Sequence, residues 1–334
     1  MRSMCAVFVD AGYLLASAAT RTTGSSLRSG IVVDYRRLIS ALIAESEKIA
    51  QLGVLRVNWY DAADNGVPDR SQEEIGTLPK VRLRLGRFGI DGQQKGVDLR
   101  IGLDMVTLAR NNAVDTIVLV SGDDDLTEAV EEAQDHGVTV VVLAVPNQSG
   151  GPNSVSRHLL RAADDLEILP PPILDASVRR PTQTATRSAD PGPAKPPTPA
   201  TPAAPVPTPG PGPRPPTGPV QIPPPAPIPV PTIAPAYRTS TGVAAVIDPA
   251  YAIGEEDLDA ALDAVVPDAW VAFTTAATPS ELSALQAGRP SIPRDLDRAL
   301  LADLSDKLGI YTLNDRQRYA LRNRFWEHVD AARR

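Results

Sequence analysis

The chain has 334 residues, of which 34 are prolines and only 4% are aromatic. Between Pro170 and Pro235 lie 25 of the prolines, so the composition predicts a first domain at 1–170, a disordered Pro-rich linker at 171–245 and a second domain at 246–334. These parts carry net charges of −6, +4 and −5. This balance excludes a uniformly basic protein that binds nucleic acid by charge alone.

Other classes of protein are excluded by what the sequence lacks. No apolar run approaches 18 uncharged residues, so no membrane span is predicted. The single cysteine, Cys5, excludes a disulfide framework and a thiolate zinc site, and the three histidines are dispersed. Residues 1–3 lead directly into an apolar run without a secretory signal, so we expect a cytoplasmic protein.

Strand and helix patterns alternate through the first domain, as they do in parallel sheets covered by helices. Strands are predicted at 6–9, 54–60, 81–85, 116–120, 138–144 and 166–169. Helices are predicted at 13–19, from residue 35 after the capping residue Asp34, and at 97–110, 126–136 and 155–163. The expected fold is α/β, a three-layer, Rossmann-like sandwich with a parallel sheet.

The rest of the chain has a different character. Residues 171–245 have the composition of polyproline II, which favours a semi-rigid spacer; the alternative is a ligand for aromatic grooves of a partner protein. Helices predicted at 255–265, 280–286, 294–308 and 315–332 make the C-terminal part a small all-helical domain. Its last helix carries a possible basic stripe at Arg316, Arg318, Arg322 and Arg324. Acidic residues elsewhere in that domain make a homodimer or protein-partner role as plausible as RNA binding.

Acidic residues follow the predicted strands at positions that can converge. Asp10 ends the first strand, Asp123–Asp125 follow strand 116–120, and Asp98 begins the helix after a Gly-rich turn. Ligands bind open parallel sheets at the carboxyl ends of the strands, so we expect three to five carboxylates in one pocket. Such carboxylates repel one another unless a cation lies among them, and they suit Mg²⁺ or Mn²⁺. A pair of such ions can activate water for phosphodiester cleavage.

Simpler interpretations exist for each acid. Asp10 alone can be a helix cap, and Asp124 can face solvent. Asp104 follows Asp98 by six residues, about 240° around a helix, so ideal geometry does not place both on one face.

Three motifs together resemble a known family. Val7-Phe-Val-Asp-Ala-Gly-Tyr13, Lys95-Gly-Val-Asp98 and Ser121-Gly-Asp-Asp-Asp-Leu126 are similar to the NYN domain, the PIN-like nuclease group of bacterial LabA-type proteins. The resemblance covers about residues 4–170, half of the chain. It implies a PIN-like fold with a five- or six-stranded parallel sheet and a metal-dependent ribonuclease activity.

Matching the motifs residue by residue implies a ligand set. The catalytic, metal-binding acids would be Asp10, Asp98, Asp123 and Asp125, with Asp104 as a further candidate metal ligand. Two positions depart from the family pattern. Tyr13 stands where many members have Asn, and Leu126 stands where many have Phe. Tyr13 can still donate a hydrogen bond, and Leu126 keeps an apolar anchor.

Basic residues near the acids are candidate phosphate contacts. Lys80, Arg82 and Arg84 share one face of a predicted strand, opposite its aliphatic residues. They can contact RNA phosphates beside the pocket, although an ordinary half-exposed strand has the same pattern. Lys95 and Arg100 flank Asp98 and can balance its charge or contact phosphate.

The sequence therefore predicts an endoribonuclease that uses Mg²⁺ or Mn²⁺ held by carboxylates to hydrolyse RNA. Two alternatives stay open. One is a non-catalytic NYN-like protein with an RNA-binding or regulatory role. The other is another Mg²⁺-dependent α/β protein that handles phosphoryl groups. Against it, the sequence lacks both the lysine that follows a late strand in response-regulator receivers and the Asp-x-Asp at the first strand of haloacid-dehalogenase-type phosphatases.

Overall fold

The structure is a computed structural model that describes residues 3–63, 66–88, 94–181, 254–310 and 312–333. For residues 87–88 and 94–95 it describes the backbone alone. The described residues on both sides of the gap at 182–253 belong to one compact unit. The other unit, residues 186–246, lies outside the described residues, and so does most of the predicted linker.

A parallel sheet forms the centre of the first domain. The strands are β1 (Met4–Asp10), β2 (Val32–Val33), β3 (Gly53–Ala63), β4 (Val81–Phe88), β5 (Gln94–Lys95), β6 (Thr116–Val120), β7 (Thr139–Ala144), β8 (Asp165–Ile168) and β9 (Val178–Arg179). Within the described residues the main sheet has the order β5-β4-β3-β1-β6-β7-β8. All of its pairs are parallel except β4 with β5, and β2 pairs with β9 in a separate antiparallel ladder.

Helices cover both faces of this sheet. They are α1 (Ala11–Thr23), α2 (Tyr35–Ala50), α3 (Arg70–Gly76), α4 (Val97–Arg110), α5 (Thr127–Asp135), α6 (Arg157–Ala162) and α7 (Pro171–Ser177). Alternate residues of β1 enter two cores: Val7 and Val9 pack with α1 and α2, while Ala6 and Phe8 pack with α4 and α5. A strand buried on both faces reads as a continuous apolar run, which is why β1 was predictable. The three-layer α/β fold is confirmed.

Several local predictions are confirmed by individual contacts. The Asp34 carboxylate accepts a hydrogen bond from the Arg37 amide and begins α2. Leu126 is buried in the core against α4 and α5. Cys5 is fully buried in β1, and its thiol donates to the Leu52 carbonyl.

The structure corrects the predicted start of the linker. Residues 171–179 were assigned to the spacer, but they form α7 and β9, and Leu174 and Val178 are buried in the core of the first domain. Their apolar side chains are too few to produce a helix pattern, and their prolines are at the start of α7, where the missing N–H costs nothing. Helix α3 was also missed, because seven residues carry little periodicity.

The C-terminal residues form helices α8 (Glu255–Ala276), α9 (Pro279–Ala287), α10 (Arg294–Leu308) and α11 (Asp315–Ala331). Helix α8 continues past its predicted end and contains Pro267. Asn314 caps α11 through a reciprocal capping box with Gln317. No helix within the described residues is long and apolar enough to cross a membrane.

These helices pack on the α/β fold through the segment that joins α1 to β2. Leu27, 1% exposed, belongs to the core of the helices and not to that of the sheet. At Gly30 an added Cβ would lie 3.2 Å from the Ala272 side chain of α8, so glycine permits this close approach. The carboxylate of Asp303 on α10 accepts hydrogen bonds from the Ser25 hydroxyl and the Ser26 amide. The helical part is therefore docked on the first domain, and its boundaries stay a prediction.

Candidate functional site

The carboxyl ends of β1 and β6 lie side by side, and a small pocket opens there. We call it the acidic pocket; its volume is about 320 Å³. Asp10 ends β1, Asp123 follows β6, and Asp98 lies in the first turn of α4. The lining residues are Asp10, Gly12, Tyr13, Asp98, Gly122, Asp123 and Ser154. The structure thus brings together three of the acids that the strand-end argument singled out.

Asp10 is the most buried of the three acids, with 7% of its surface exposed. Its carboxylate accepts hydrogen bonds from the Tyr13 amide at 3.2 Å and from the Ser121 hydroxyl at 3.3 Å. Burial, and after it the negative charges of Asp98 and Asp123, raise the pKa of Asp10 to about 6. The helix-cap interpretation is correct, since one oxygen caps α1, and the same side chain also lines the pocket.

The other two acids of the pocket show the same crowding. Burial raises the pKa of Asp98, and the charges of Asp123 and Asp125 raise it further. The pKa of Asp123 is raised first by burial and then by the charges of Asp125 and Asp124. Asp125 is exposed and is not among the lining residues, so it acts on the pocket through its charge. Like charges that raise one another's pKa are what a bound cation relieves.

Whether these acids fit a divalent ion depends on chemistry and on spacing. Carboxylate oxygens are suitable donors for Mg²⁺ or Mn²⁺, and a carboxylate as buried as that of Asp10 gains most from a positive partner. Within the described residues, however, no group of three His, Cys, Asp or Glu side chains is arranged to hold a metal ion. The donor set therefore fits a divalent ion in kind and charge, but its present spacing is not that of a formed metal site.

Asp104 lies elsewhere. Its carboxylate accepts a hydrogen bond from the Tyr60 hydroxyl at 2.9 Å and lies 3.0 Å from the Arg84 Nε. In the sheet register Arg84 is level with Tyr60, and Tyr60 is level with Asp10. Arg84 is thus two strand spacings, about 10 Å, from the end of β1. Asp104 has a cation partner, and neither Asp104 nor Arg84 lines the acidic pocket.

The remaining basic candidates lie on β4 or on segments next to it. Lys80 lies before the start of the strand, and its Nζ is 3.4 Å from the Glu47 carboxylate on α2. Arg82 is exposed. Arg100 donates to the Leu85 carbonyl at 2.9 Å, which directs its guanidinium to β4. The side chain of Lys95 lies outside the described residues.

One loop that sequence reasoning missed forms part of the pocket. The Tyr13 hydroxyl donates to the Asn153 carbonyl at 2.8 Å and accepts from the Val145 amide at 3.2 Å. A Cβ added to Gly122 would lie 2.1 Å from the Ser154 carbonyl oxygen, so this close approach requires glycine. The hydrogen bond expected of Tyr13 therefore holds the loop that carries Ser154. The glycine after a buried strand was the available signal.

Asp124 was interpreted as facing solvent, but it has partners. Its carboxylate accepts a hydrogen bond from Ser156 and lies 3.1 Å from His158 Nδ1. The bond from Ser156 holds the pKa of Asp124 below its usual value, and the contact with His158 lowers it further. Asp124 therefore ties the end of β6 to the start of α6.

Comparison with known proteins places the first domain in a family. The family model of the NYN domain matches residues 5–169. The uncharacterized protein y4oD of Sinorhizobium fredii is 39% identical over 87 residues, which are 26% of this chain and 41% of that protein. The chain thus spans less than half the length of this curated relative. A solved protein of unknown function from Vibrio parahaemolyticus is 25% identical; the match covers 51% of this chain and 94% of the other, with a TM-score of 0.36.

Proposed function

Since this chain belongs to the NYN-domain family through residues 5–169, we propose that it is a metal-dependent endoribonuclease acting at the acidic pocket. The NYN domain is PIN-like and supports a nuclease-type function. The observation that carries the proposal is the convergence of Asp10, Asp98 and Asp123 at the carboxyl edge of the sheet. Burial raises the pKa of each of the three carboxyls, and neighbouring carboxylates raise it further, as expected for groups that bind a divalent cation.

Asp10, Asp98 and Asp123 would hold Mg²⁺ or Mn²⁺, with Asp125 at the rim. The bound ion would supply a water of lowered pKa and would offset the charge that develops on phosphate. Asp10 is held in place by the Tyr13 amide and the Ser121 hydroxyl, so its carboxylate direction is fixed before an ion binds. Because the pKa of Asp10 is about 6, ion binding near neutral pH releases the residual proton of this carboxyl.

RNA would reach the pocket past β4. Arg82 and Lys95 stay the proposed phosphate contacts, Arg82 because it is exposed and Lys95 because its backbone lies in β5 beside the start of α4. Lys80 and Arg84 were predicted for the same role. Each is paired with a carboxylate, so RNA phosphate would have to replace Glu47 or Asp104 as the partner.

A second candidate function is an NYN-like protein that binds RNA without cleaving it. It is favoured by one observation, the lack of any group of three potential ligands arranged for a metal within the described residues. Binding needs only the surface around the pocket, whereas turnover needs the carboxylates to share an ion.

End-labelled RNA incubated with the full chain tests the proposal, with Mn²⁺ or with EDTA. We expect cleavage in Mn²⁺ and none in EDTA. Asp123→Asn should lower the cleavage rate at least about 100-fold, because losing a metal ligand costs more than the 10- to 100-fold lost with a residue that only supports a ligand. The control Asp135→Asn changes an exposed acid at the end of α5 and keeps full activity. Retained RNA binding without any metal-dependent cleavage would favour the second candidate. Equal cleavage by Asp123→Asn and the wild type would contradict the site.

A further inference from the structure

A second, larger cavity lies beside the acidic pocket, between the carboxyl end of β3 and helix α10. We call it the β3 groove; its volume is about 650 Å³, within the range of small-molecule sites. Its walls include Gly12 of α1, Asp61 of β3, Gln72 of α3 and Ala302 of α10. The docked C-terminal helices therefore form one side of a cavity at the ligand-binding edge of the sheet.

The wall formed by α10 is fixed by specific contacts. The Asp303 carboxylate lies 2.7 Å from the Ser25 hydroxyl and 2.9 Å from the Ser26 amide. One turn further on, Asp306 accepts a hydrogen bond at 2.8 Å from Ser154, which lines the acidic pocket. The same helix thus runs from the β3 groove to the rim of the acidic pocket.

The two cavities are adjacent along the edge of the sheet. Gly12 lines both of them. The β3 groove lies at the end of β3, the acidic pocket lies at the ends of β1 and β6, and these three strands are neighbours. Strands are about 4.8 Å apart, so the ends of β3 and β6 are separated by about 10 Å. That separation matches a phosphate and the nucleoside next to it in one strand of nucleic acid.

The charges of the β3 groove select against phosphate and for a base. Arg28 and Arg298 face three carboxylates in its lining, those of Asp61, Asp69 and Asp295. Arg28 is paired with Asp61, 3.3 Å away, so a phosphate group would meet net negative charge.

A nucleobase has both donors and acceptors on its edge and no charge. The groove offers the guanidinium of Arg28, the buried carboxylate of Asp61 and the amide of Gln72, which donates to Asp61 at 2.9 Å. Unstacked RNA bases are bound in this way, by hydrogen bonds to their edges and by stacking on planar groups such as guanidinium.

We propose that the β3 groove binds the base of the nucleotide adjacent to the phosphate in the acidic pocket. The C-terminal helices then contribute to RNA recognition through α10. The proposal rests on the proposed function for the identity of the ligand as RNA and for the position of its phosphate in the acidic pocket.

Filling the groove tests this inference. Ala302 is an exposed groove residue, and Lys307 is an exposed residue of the same helix that does not line the groove, so Ala302→Trp and Lys307→Trp form a matched pair. The probe is a labelled single-stranded RNA hexamer with cleavage-resistant linkages, measured by fluorescence anisotropy in Mn²⁺ so that the acidic pocket can hold its ion, beside an abasic strand of the same length. We expect Ala302→Trp to weaken RNA binding at least about fivefold, the effect of losing one stacked base. Binding of the abasic strand stays unchanged.

A second filling variant guards against a folding artefact. Val67→Trp changes a 68% exposed position on the opposite wall, and we expect the same loss of binding with an unchanged melting temperature. Equal RNA affinity of Ala302→Trp, Val67→Trp and Lys307→Trp would overturn the inference. If the wild type still cleaves RNA with Mn²⁺ in that case, the proposed function stands alone. Base-dependent binding that Ala302→Trp removes, in a protein that never cleaves, would support the groove and contradict the nuclease proposal.

Discussion

The acidic pocket and the C-terminal helices use the same residue type in opposite ways. In the helices, Asp297 lies 2.8 Å from Arg322, Asp330 lies 2.9 Å from Arg289, and Arg324 lies between two aspartates. In the pocket, Asp10, Asp98 and Asp123 crowd one another, and none of the described lining residues is basic. These carboxylates of the helices are neutralised by arginines within the fold. Those of the pocket have no such partner among its described lining residues.

This difference also decides the meaning of the basic stripe on the last helix. Arg316 pairs with Glu255, Arg322 with Asp297, and Arg324 with Asp259 and Asp263. These pairs hold α11 against α8 and α10. Three of the four arginines that the sequence offered as a possible RNA-binding surface are therefore used within the helical part.

The largest stability effect is expected from removing a crowded charge. Burial and like charges raise the pKa of Asp10 from 3.8 to about 6, and each pKa unit corresponds to about 1.4 kcal/mol. At pH 7 the ionised side chain therefore costs the metal-free protein about 3 kcal/mol. Asp10→Asn keeps the helix cap and removes the charge, so we expect the free energy of unfolding to rise by up to this amount in EDTA. Urea denaturation measures it.

The size of this effect changes with pH in a defined way. A carboxyl whose pKa is raised on folding contributes stability that is fully present below its unfolded value, near 4, and is lost as the pH rises through about 6. The wild type and Asp10→Asn should therefore differ at pH 7 and converge at pH 4. A gap of the same size at both pH values would show that the charge is not its cause.

The next effect is stabilisation by metal. A ligand that binds only the folded state at a hundredfold excess over its Kd adds about 2.7 kcal/mol, which shifts the melting temperature of a protein of this size by about 5–10 °C. We expect this shift with Mn²⁺ for the wild type and its loss in Asp98→Asn. Asp104→Asn, which changes the partner of Arg84, should keep the shift. The same loss in both variants would return Asp104 to the ligand set.

The smallest stability effect is expected from breaking an ion pair of the C-terminal helices. Arg322→Met removes a two-contact ion pair with Asp297, worth about 1 kcal/mol at a partly exposed site. The loss should be equal with Mn²⁺ and with EDTA, because this pair has no part in ion binding. Arg36→Met, an exposed change on α2, serves as the control. If Arg322→Met lost more stability in Mn²⁺ than in EDTA, the carboxylates of the C-terminal helices would also take part in ion binding, and the difference between the two regions would not hold.

Asp10 and Asp123 at strand ends and Asp98 at a helix start were predicted to converge, and the structure places all three in one pocket, since the carboxyl ends of parallel strands share an edge with the helices that follow them. The pairing of Asp104 with Arg84 was not predictable in the same way. It depends on how α4 packs on β4, and no sequence period records that contact. The docking of α10 was hidden for a similar reason. The segment Gly24-Ser-Ser-Leu-Arg-Ser-Gly30 has the composition of a loop, and only tertiary packing buries Leu27.

The single cysteine has a practical consequence for labelling chemistry. Cys5 is fully buried in β1, and burial raises its pKa to about 11. Thiol reagents attack the thiolate, so maleimide dyes should leave the native chain unmodified at neutral pH. A cysteine introduced by Ala302→Cys, at an exposed position of α10, would then take the dye alone. The protein can thus carry a fluorophore at the β3 groove without the removal of any native residue.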